Sequence, residues 1–215
     1  MIADRRAFIL EHTRLQAPPH APELRLHLAD EITPVWRLTE EELGAMGLPP
    51  PFWAFAWAGG QGVARWVLDH PEEVRGRRVL DVACGGGIAG LAAMKAGAAE
   101  AVGADIDPFC GAAVALNAEA NGVAMDSVQA DLLDGPAPEA DVVLAGDLFY
   151  ERPLAERAFA WLRRAHEAGS RVILGDPGRT YFDRTGLVQL ADYTVPTTRE
   201  LEDAEVKRTG VWTFA

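Results

Sequence analysis

The sequence predicts an α/β fold built on a mostly parallel sheet, and three observations carry the prediction. From Arg78 onward, short apolar runs alternate with helical segments, the rhythm of parallel strands joined by crossover helices. Successive runs end in a carboxylate: RVLDVA around Asp81, EAVGAD at Asp105, SVQAD at Asp131 and VVLAGD at Asp147. The final stretch breaks the rhythm. YTVPTT and VKRTGVWTF are separated only by a charged, helix-poor segment, which predicts an antiparallel pair closing the sheet.

In chain order, residues 1–50 read as a helical and irregular extension and residues 51–215 as the main part of a single domain. The extension contains a predicted amphipathic helix near Ala3 to Leu15, a Pro-rich break at Ala17 to Pro22 and an alternating stretch, LRLHLA, at Leu24 to Ala29. PFWAFAWAGGQ follows from Pro51 to Gln61, and its aromatics at spacing two predict one buried strand face, most clearly for Trp53 and Phe55. The regular part then runs RVLDVA, a helix through IAGLAAMKAG, EAVGAD, a helix from Phe109 to Asn121, and SVQAD. It continues with ADVVLAGD, a helix from about Leu154 to Ala168, RVILGD and a further helix from about Thr180.

A chain of 215 residues has room for one well-buried core. No apolar run approaches the length needed to span a bilayer, and charges interrupt every apolar stretch of MIADRRAFILEHTRL, so a cytoplasmic location without membrane contact is expected. The 20 basic against 32 acidic residues give a net charge of −12, which repels a phosphate backbone and argues against nucleic acid as a partner. Cys84 and Cys110 have no C-x-x-C spacing and read as small buried thiols. The five histidines show no metal-binding spacing, so no metal is expected. No sustained apolar stripe is left over, and a monomer is expected.

The segment DVACGGGIAG admits two cofactor loops. Gly85, Gly87 and Gly90 spell the G-x-G-x-x-G of a dinucleotide loop, while Asp81, Ala83, Gly85 and Gly87 spell a methyl-donor loop with Ala where Gly is usual. A pyrophosphate needs bare backbone at a helix N-terminus, and an acid there repels it. S-adenosylmethionine carries no phosphate and is cationic at its amino group and sulfonium, so Asp81 suits it. Asp105, about 20 residues beyond the loop, can accept hydrogen bonds from two ribose hydroxyls. Asp107 is the alternative ribose ligand or the cap of the following helix. Asp131 can accept the adenine amino group or close a solvent-facing turn. Upstream, Trp57, Gly59, Gly60 and Gln61 suit a lid over the methionine end of the donor, with Gln61 on its carboxylate.

After the fourth strand comes GDLFYE. Asp147 is the candidate for orienting an attacking amine, with Phe149 and Tyr150 as an aromatic, partly desolvated pocket that lowers the amine pKa. The alternative has Leu148, Phe149 and Tyr150 in the core and Asp147 as a helix cap. GDPGR, from Gly175 to Arg179, reads as a tight turn, with Arg179 available to an acidic surface.

VLDVACGGG, VGADIDPFCGAAVALNAEANGV, VVLAGDLFYE and ILGDPGR, preceded by WAGGQ, resemble the seven-β-strand S-adenosylmethionine-dependent methyltransferases. Within them the chain is similar to the lysine methyltransferases that act on the β subunit of electron transfer flavoprotein. The resemblance implies a doubly wound, Rossmann-like, seven-stranded sheet with an antiparallel last strand, S-adenosylmethionine as cofactor, and a protein substrate, the flavoprotein β subunit. It puts the donor on Asp81, Gly85, Gly87, Asp105 and Asp131, and the acceptor on Asp147, Phe149 and Tyr150. Methylation of a ribosomal protein, of a protein N-terminus or of a small amine such as nicotinamide stays open. So do an NAD-dependent oxidoreductase and a binding module that keeps the pocket without turnover.

Overall fold

Alternate residues of each apolar run turn to opposite faces of one sheet, and this decides the architecture. The computed structural model describes residues 2, 4–29, 50–136, 139–197 and 204–215. Its main strands are β3 (Arg78–Val82), β4 (Glu100–Asp105), β5 (Asp126–Gln129), β6 (Val142–Gly146), β7 (Arg171–Asp176), β8 (Leu187–Pro196) and β9 (Val206–Phe214). Val79, Val142, Leu144, Ile173 and Val211 pack to one side, against helices α2 (Ala58–Asp69), α3 (Ile88–Lys95) and α4 (Cys110–Asn121). Leu80, Val82, Val143, Ala145, Val172, Leu174 and Trp212 pack to the other, against Ala158, Trp161 and Leu162 of α5 (Arg152–Glu167).

The strand order is β5-β4-β3-β6-β7-β9-β8. The pairs β3–β4, β4–β5, β3–β6 and β6–β7 are parallel, while β9 runs antiparallel to both β7 and β8. The fold is therefore the α/β doubly wound, mostly parallel seven-stranded sheet with an antiparallel last strand. The chain builds leftward from β3 to β5 and then restarts at β6 on the other side of β3. That reversal opens a crevice beyond the carboxyl ends of β3 and β6.

Three local expectations are corrected. No helix begins near Thr180, because Gly178 and Gly186 have φ of 85° and 75° and the Asp183 side chain accepts the Thr185 N–H at 2.9 Å. These turns deliver the chain directly into β8. Pro51 to Trp57 is not a strand face, since Phe52–Ala54 forms a 3₁₀ turn directly after Pro51 and Trp57 caps α2, a helix that the sequence reading missed. The first helix, α1 (Arg5–His12), stops earlier than expected, and Arg14–Gln16 is β1 instead.

β1 pairs antiparallel with β2 (Leu26–Leu28), the alternating stretch of the extension. Leu24, Leu26 and Leu28 are buried in the same core as α2 and α3. Fully buried Asn117 of α4 ties this strand to the Gly loop: its Oδ1 accepts the His27 N–H at 2.7 Å and its Nδ2 donates to the Gly86 carbonyl at 2.9 Å. Residues 30–49 of the extension lie outside the described residues. Among the described residues no helix is long and apolar enough to cross a membrane.

Candidate active site

A cavity of about 360 Å³ opens beyond the carboxyl ends of the central strands, within the size range of small-ligand sites. β3 and the turn after it contribute Asp81, Ala83, Gly85 and Gly86, β4 and the turn after it contribute Asp105 and Asp107, and the turn after β5 contributes Asp131. Asp147 and Tyr150 follow β6, Arg179 follows β7, and Phe52, Phe55, Trp57 and Gly60 come from upstream.

The turn after β3 requires left-handed backbone. Ala83, Gly85 and Gly87 have φ of 52°, 52° and 81°, and only the two glycines adopt it at no steric cost. The turn swings the chain into α3, whose Gly90 N–H donates to Asp81 Oδ2 at 2.8 Å. Burial is the main cause that pushes the Asp81 carboxyl up to about 7, opposed by the Gly90 N–H, while nearby Asp105 raises it further. Asp105 braces the loop from the next strand, accepting the Gly85 N–H at 2.9 Å on one oxygen and the Asp107 N–H at 3.0 Å on the other. Asp107 caps the turn into α4 through the Phe109 N–H at 2.8 Å, and burial pushes it up to about 7. Asp131 is exposed at the rim, held by Arg157 at 2.8 Å, which keeps its carboxyl below the usual range.

Four carboxylates therefore line one end of the cavity, with Cys84, Ile88, Ala89, Leu132 and Leu133 as its apolar walls. This donor set fits S-adenosylmethionine, which offers cationic and hydroxyl groups and an apolar adenine face. It fits a dinucleotide poorly, since a pyrophosphate would face the acids with Arg157 as the cation at that end.

The other end is aromatic. Phe52 meets Trp57 and Tyr150 edge to face, with ring centroids 5.4 and 5.5 Å apart, and Phe55 meets Trp57 at 6.0 Å. The Trp57 indole N–H donates to the Phe52 carbonyl at 2.9 Å and fixes the ring. Asp147 stands beside them with φ of 58°, a left-handed conformation that Asp tolerates better than most residues. Its Oδ2 accepts the Gly60 N–H at 3.1 Å and its Oδ1 accepts from Arg179 at 2.8 Å. Burial raises the carboxyl pKa, and Arg179 opposes the rise. Burial also pushes the Tyr150 phenol up to about 12.

Asp81, Ala83, Gly85, Asp105, Asp107, Asp131, Trp57, Gly60, Asp147 and Tyr150 are thus brought to one cavity, and four expected site residues, Gly59, Gln61, Phe149 and Gly87, are not; Gly59 packs against Gly175 and Asp147 instead. Gln61 is buried away from it, with Oε1 accepting the His20 N–H at 3.0 Å and Nε2 donating to the Ala56 carbonyl at 2.7 Å. Both ends of its amide hold the N-terminal segment against α2, so Gln61 lies outside the cavity where the expected contact with a donor carboxylate would be made. Phe149 is buried against Phe159 and Phe182 in the core below the site, as its alternative reading has it. Gly87 makes the turn into α3, facing Val114 and Met125. The sequence reading missed Phe52 and Phe55 as lining residues and missed the bond between Arg179 and Asp147. Their signals, the two halves of PFWAFAW and the GDPGR turn, are visible only as local patterns.

Comparison with known proteins follows the same division of the chain. Residues 67–150 match the family model of the ribosomal protein L11 methyltransferase (PrmA). The chain is 39% identical over 216 residues to an electron transfer flavoprotein β subunit lysine methyltransferase of Xenopus laevis, covering 97% of this chain and 86% of that protein. It is 33% identical to the protein of the same name in Rattus norvegicus, over 97% of this chain and 84% of that protein. Among solved structures, it resembles magnesium protoporphyrin IX methyltransferase from Synechocystis with bound SAM at a TM-score of 0.53 and 20% identity, covering 73% of this chain and 78% of that one.

Proposed function

Because the chain belongs to the family of electron transfer flavoprotein β subunit lysine methyltransferases, we propose that it methylates lysine side chains of a protein substrate, the β subunit of an electron transfer flavoprotein. The observation that carries this reading is the juxtaposition of Asp147, Trp57, Phe52 and Tyr150 at one end of a cavity whose other end is lined by Asp81, Asp105, Asp107 and Asp131.

S-adenosylmethionine, when bound, supplies an electrophilic methyl group. The residues of this chain that would hold it are the Asp81 to Gly86 turn, Asp105 for the ribose hydroxyls, and Asp131 with its apolar neighbours for the base. Asp147 acts on the acceptor. Its carboxylate is immobilised by Gly60 and Arg179, so it orients the incoming nitrogen without reorganising. The three rings exclude water from the aliphatic stem of a lysine, and this desolvation disfavours its charged form. The high pKa of Tyr150 keeps its hydroxyl protonated, so it serves as a hydrogen-bond donor and not as a base.

The match to the L11 methyltransferase model spans residues 67–150. It thus covers Asp81 to Asp131 together with Asp147 and Tyr150 and leaves out Phe52, Trp57 and Arg179, so it does not by itself choose the acceptor. The test is incubation of the purified protein with S-adenosylmethionine and purified flavoprotein β subunit, read by intact mass and peptide mapping. Methyl increments on lysine support the proposal, and a β subunit left unmodified while donor product binds tightly would refute the substrate assignment.

A further inference from the structure

The acceptor end of the site already contains a cation. Arg179 Nη2 lies 2.8 Å from Asp147 Oδ1, and the guanidinium carbon lies 5.9 Å from the centroid of the Trp57 ring. These are the two features with which a pocket would bind an ammonium, a carboxylate and an indole face. The position of Arg179 is built in. Asp176 Oδ1 accepts the N–H groups of both Gly178 and Arg179 at 2.7 Å, and Gly178 has φ of 85°, so the GDPGR turn is locked and directs the arginine back over the site. The Asp147 and Arg179 side chains are 11% and 21% exposed, which leaves their charges only weakly screened by water.

Resting on the methyl-transfer reading above, we infer that Arg179 is a positioning residue that occupies the cation seat formed by Asp147 and Trp57, so that the acceptor lysine is received as its neutral amine. Asp147 alone would hold an ammonium, a form without a lone pair. Asp147 with Arg179 is a neutral pair, whose carboxylate still orients the nitrogen while the guanidinium repels a second positive charge. Among the described residues, the ionisable groups coupled to this pair include Asp176 in the turn of Arg179 and the phenol of Tyr150 after β6, the phenol being coupled in turn to Glu151 and Asp105. In the step itself the lysine ammonium first gives one proton to solvent. Its nitrogen lone pair then forms the N–C bond as the methyl–sulfur bond breaks, that bond pair staying on sulfur, and the N-methylammonium product carries the charge. The same guanidinium that repels the ammonium on arrival also favours its departure.

The pH dependence of kcat tests this, because at saturating protein substrate it reports protonation within the complex. The variants are Arg179→Gln, which removes the charge, and Arg179→Lys, which restores one, each checked for an intact donor pocket by calorimetric titration with S-adenosylhomocysteine. The expected result is that Arg179→Gln moves the rising limb of kcat upward by about one pH unit or more, a loss of about tenfold below the limb that disappears at alkaline pH. Arg179→Lys keeps the parental limb at a lower plateau. A loss by the same factor at every pH in both variants, or no loss in Arg179→Gln, would overturn the inference. Absence of lysine methylation by the parent protein at every pH would overturn the functional reading and this inference with it.

Discussion

Gly59 in the first turn of α2 and Gly175 near the end of β7 meet backbone to backbone, each placed where a Cβ on one would run into the carbonyl oxygen of the other. The contact seats α2 on the sheet and lets the Gly60 N–H reach Asp147. Neither carbonyl belongs to a flexible side chain, so the clash cannot be relieved cheaply. Gly59→Ala and Gly175→Ala are each expected to lower unfolding free energy by about 2 to 3 kcal/mol, measured by urea denaturation. A loss below about 1 kcal/mol would show that the helix can slide.

Asp147→Asn keeps the shape and the acceptor for Gly60 while removing the negative charge. A turnover loss of about 100-fold or more is expected, with S-adenosylhomocysteine affinity within about threefold of the parent. Unchanged turnover would remove Asp147 from the acceptor site and favour a binding module.

Asp81, Asp107 and Asp176 are buried, and burial pushes each carboxyl up to about 7. A folded pKa above the unfolded one means that the native state holds the proton more tightly. Their contribution to stability is therefore complete below about pH 4 and lost as pH rises through 7. Asp131, Glu23 and Asp192 are shifted downward, so their contribution changes only at pH near or below their ordinary range, while burial lowers His20 and His27, which offsets part of the loss on the acid side of this window. Ligand-free protein is expected to lose roughly 1 to 3 kcal/mol between pH 5 and 8, read as a falling Tm, and Asp176→Asn should flatten part of the slope. A flat profile between those limits would contradict the shifts.

Gln61→Ala removes a buried amide and leaves its two partners, the His20 N–H and the Ala56 carbonyl, without it. The expected cost is about 1 to 3 kcal/mol of stability with donor affinity unchanged. A specific fall in donor affinity at constant Tm would restore Gln61 to the cofactor site.

Ala83 holds a left-handed φ of 52° at an exposed position. Ala83→Gly is expected to raise stability by about 0.5 to 1 kcal/mol. A decrease on thermal denaturation would mean that the Ala83 methyl packs against a neighbour and outweighs the strain.

The strands and the donor loop were legible because their signals are local. A run of four or five apolar residues, a carboxylate and a left-handed glycine turn lie next to one another in sequence at Asp81 to Gly87, and again in part at Asp105 and Asp147. Helix α2 was not legible. Its first turn is Ala-Gly-Gly-Gln, a poor helix sequence by propensity, and its glycines answer to tertiary neighbours: Gly175 and Asp147 leave no space at Gly59, Ile88 crowds Gly60, and Thr209 crowds Gly62. Gln61 misled for a related reason, since its partners at His20 and Ala56 are a tertiary matter. Arg179 was read as a surface residue because its separation of 32 positions from Asp147 conceals that both follow neighbouring strands.

Strand β8 is bonded along its whole length to β9, from Leu187 opposite Phe214 to Pro196 opposite Val206, whereas β9 is registered on β7 only over Leu174 to Asp176. The two strands thus form a flap whose ladder is largely self-contained and whose attachment depends on side chains, Val211 on one face and Trp212 with Phe214 on the other. Against that long ladder, what joins the flap to the rest of the sheet is short: the three residue pairs with β7, the bond from Arg171 to the Thr213 hydroxyl at 3.0 Å, and the packing of these side chains. The hinge line of that flap runs along Gly175 and Asp176, where the acceptor-site turn begins. Loosening at the far edge of the sheet would therefore be felt first by Arg179.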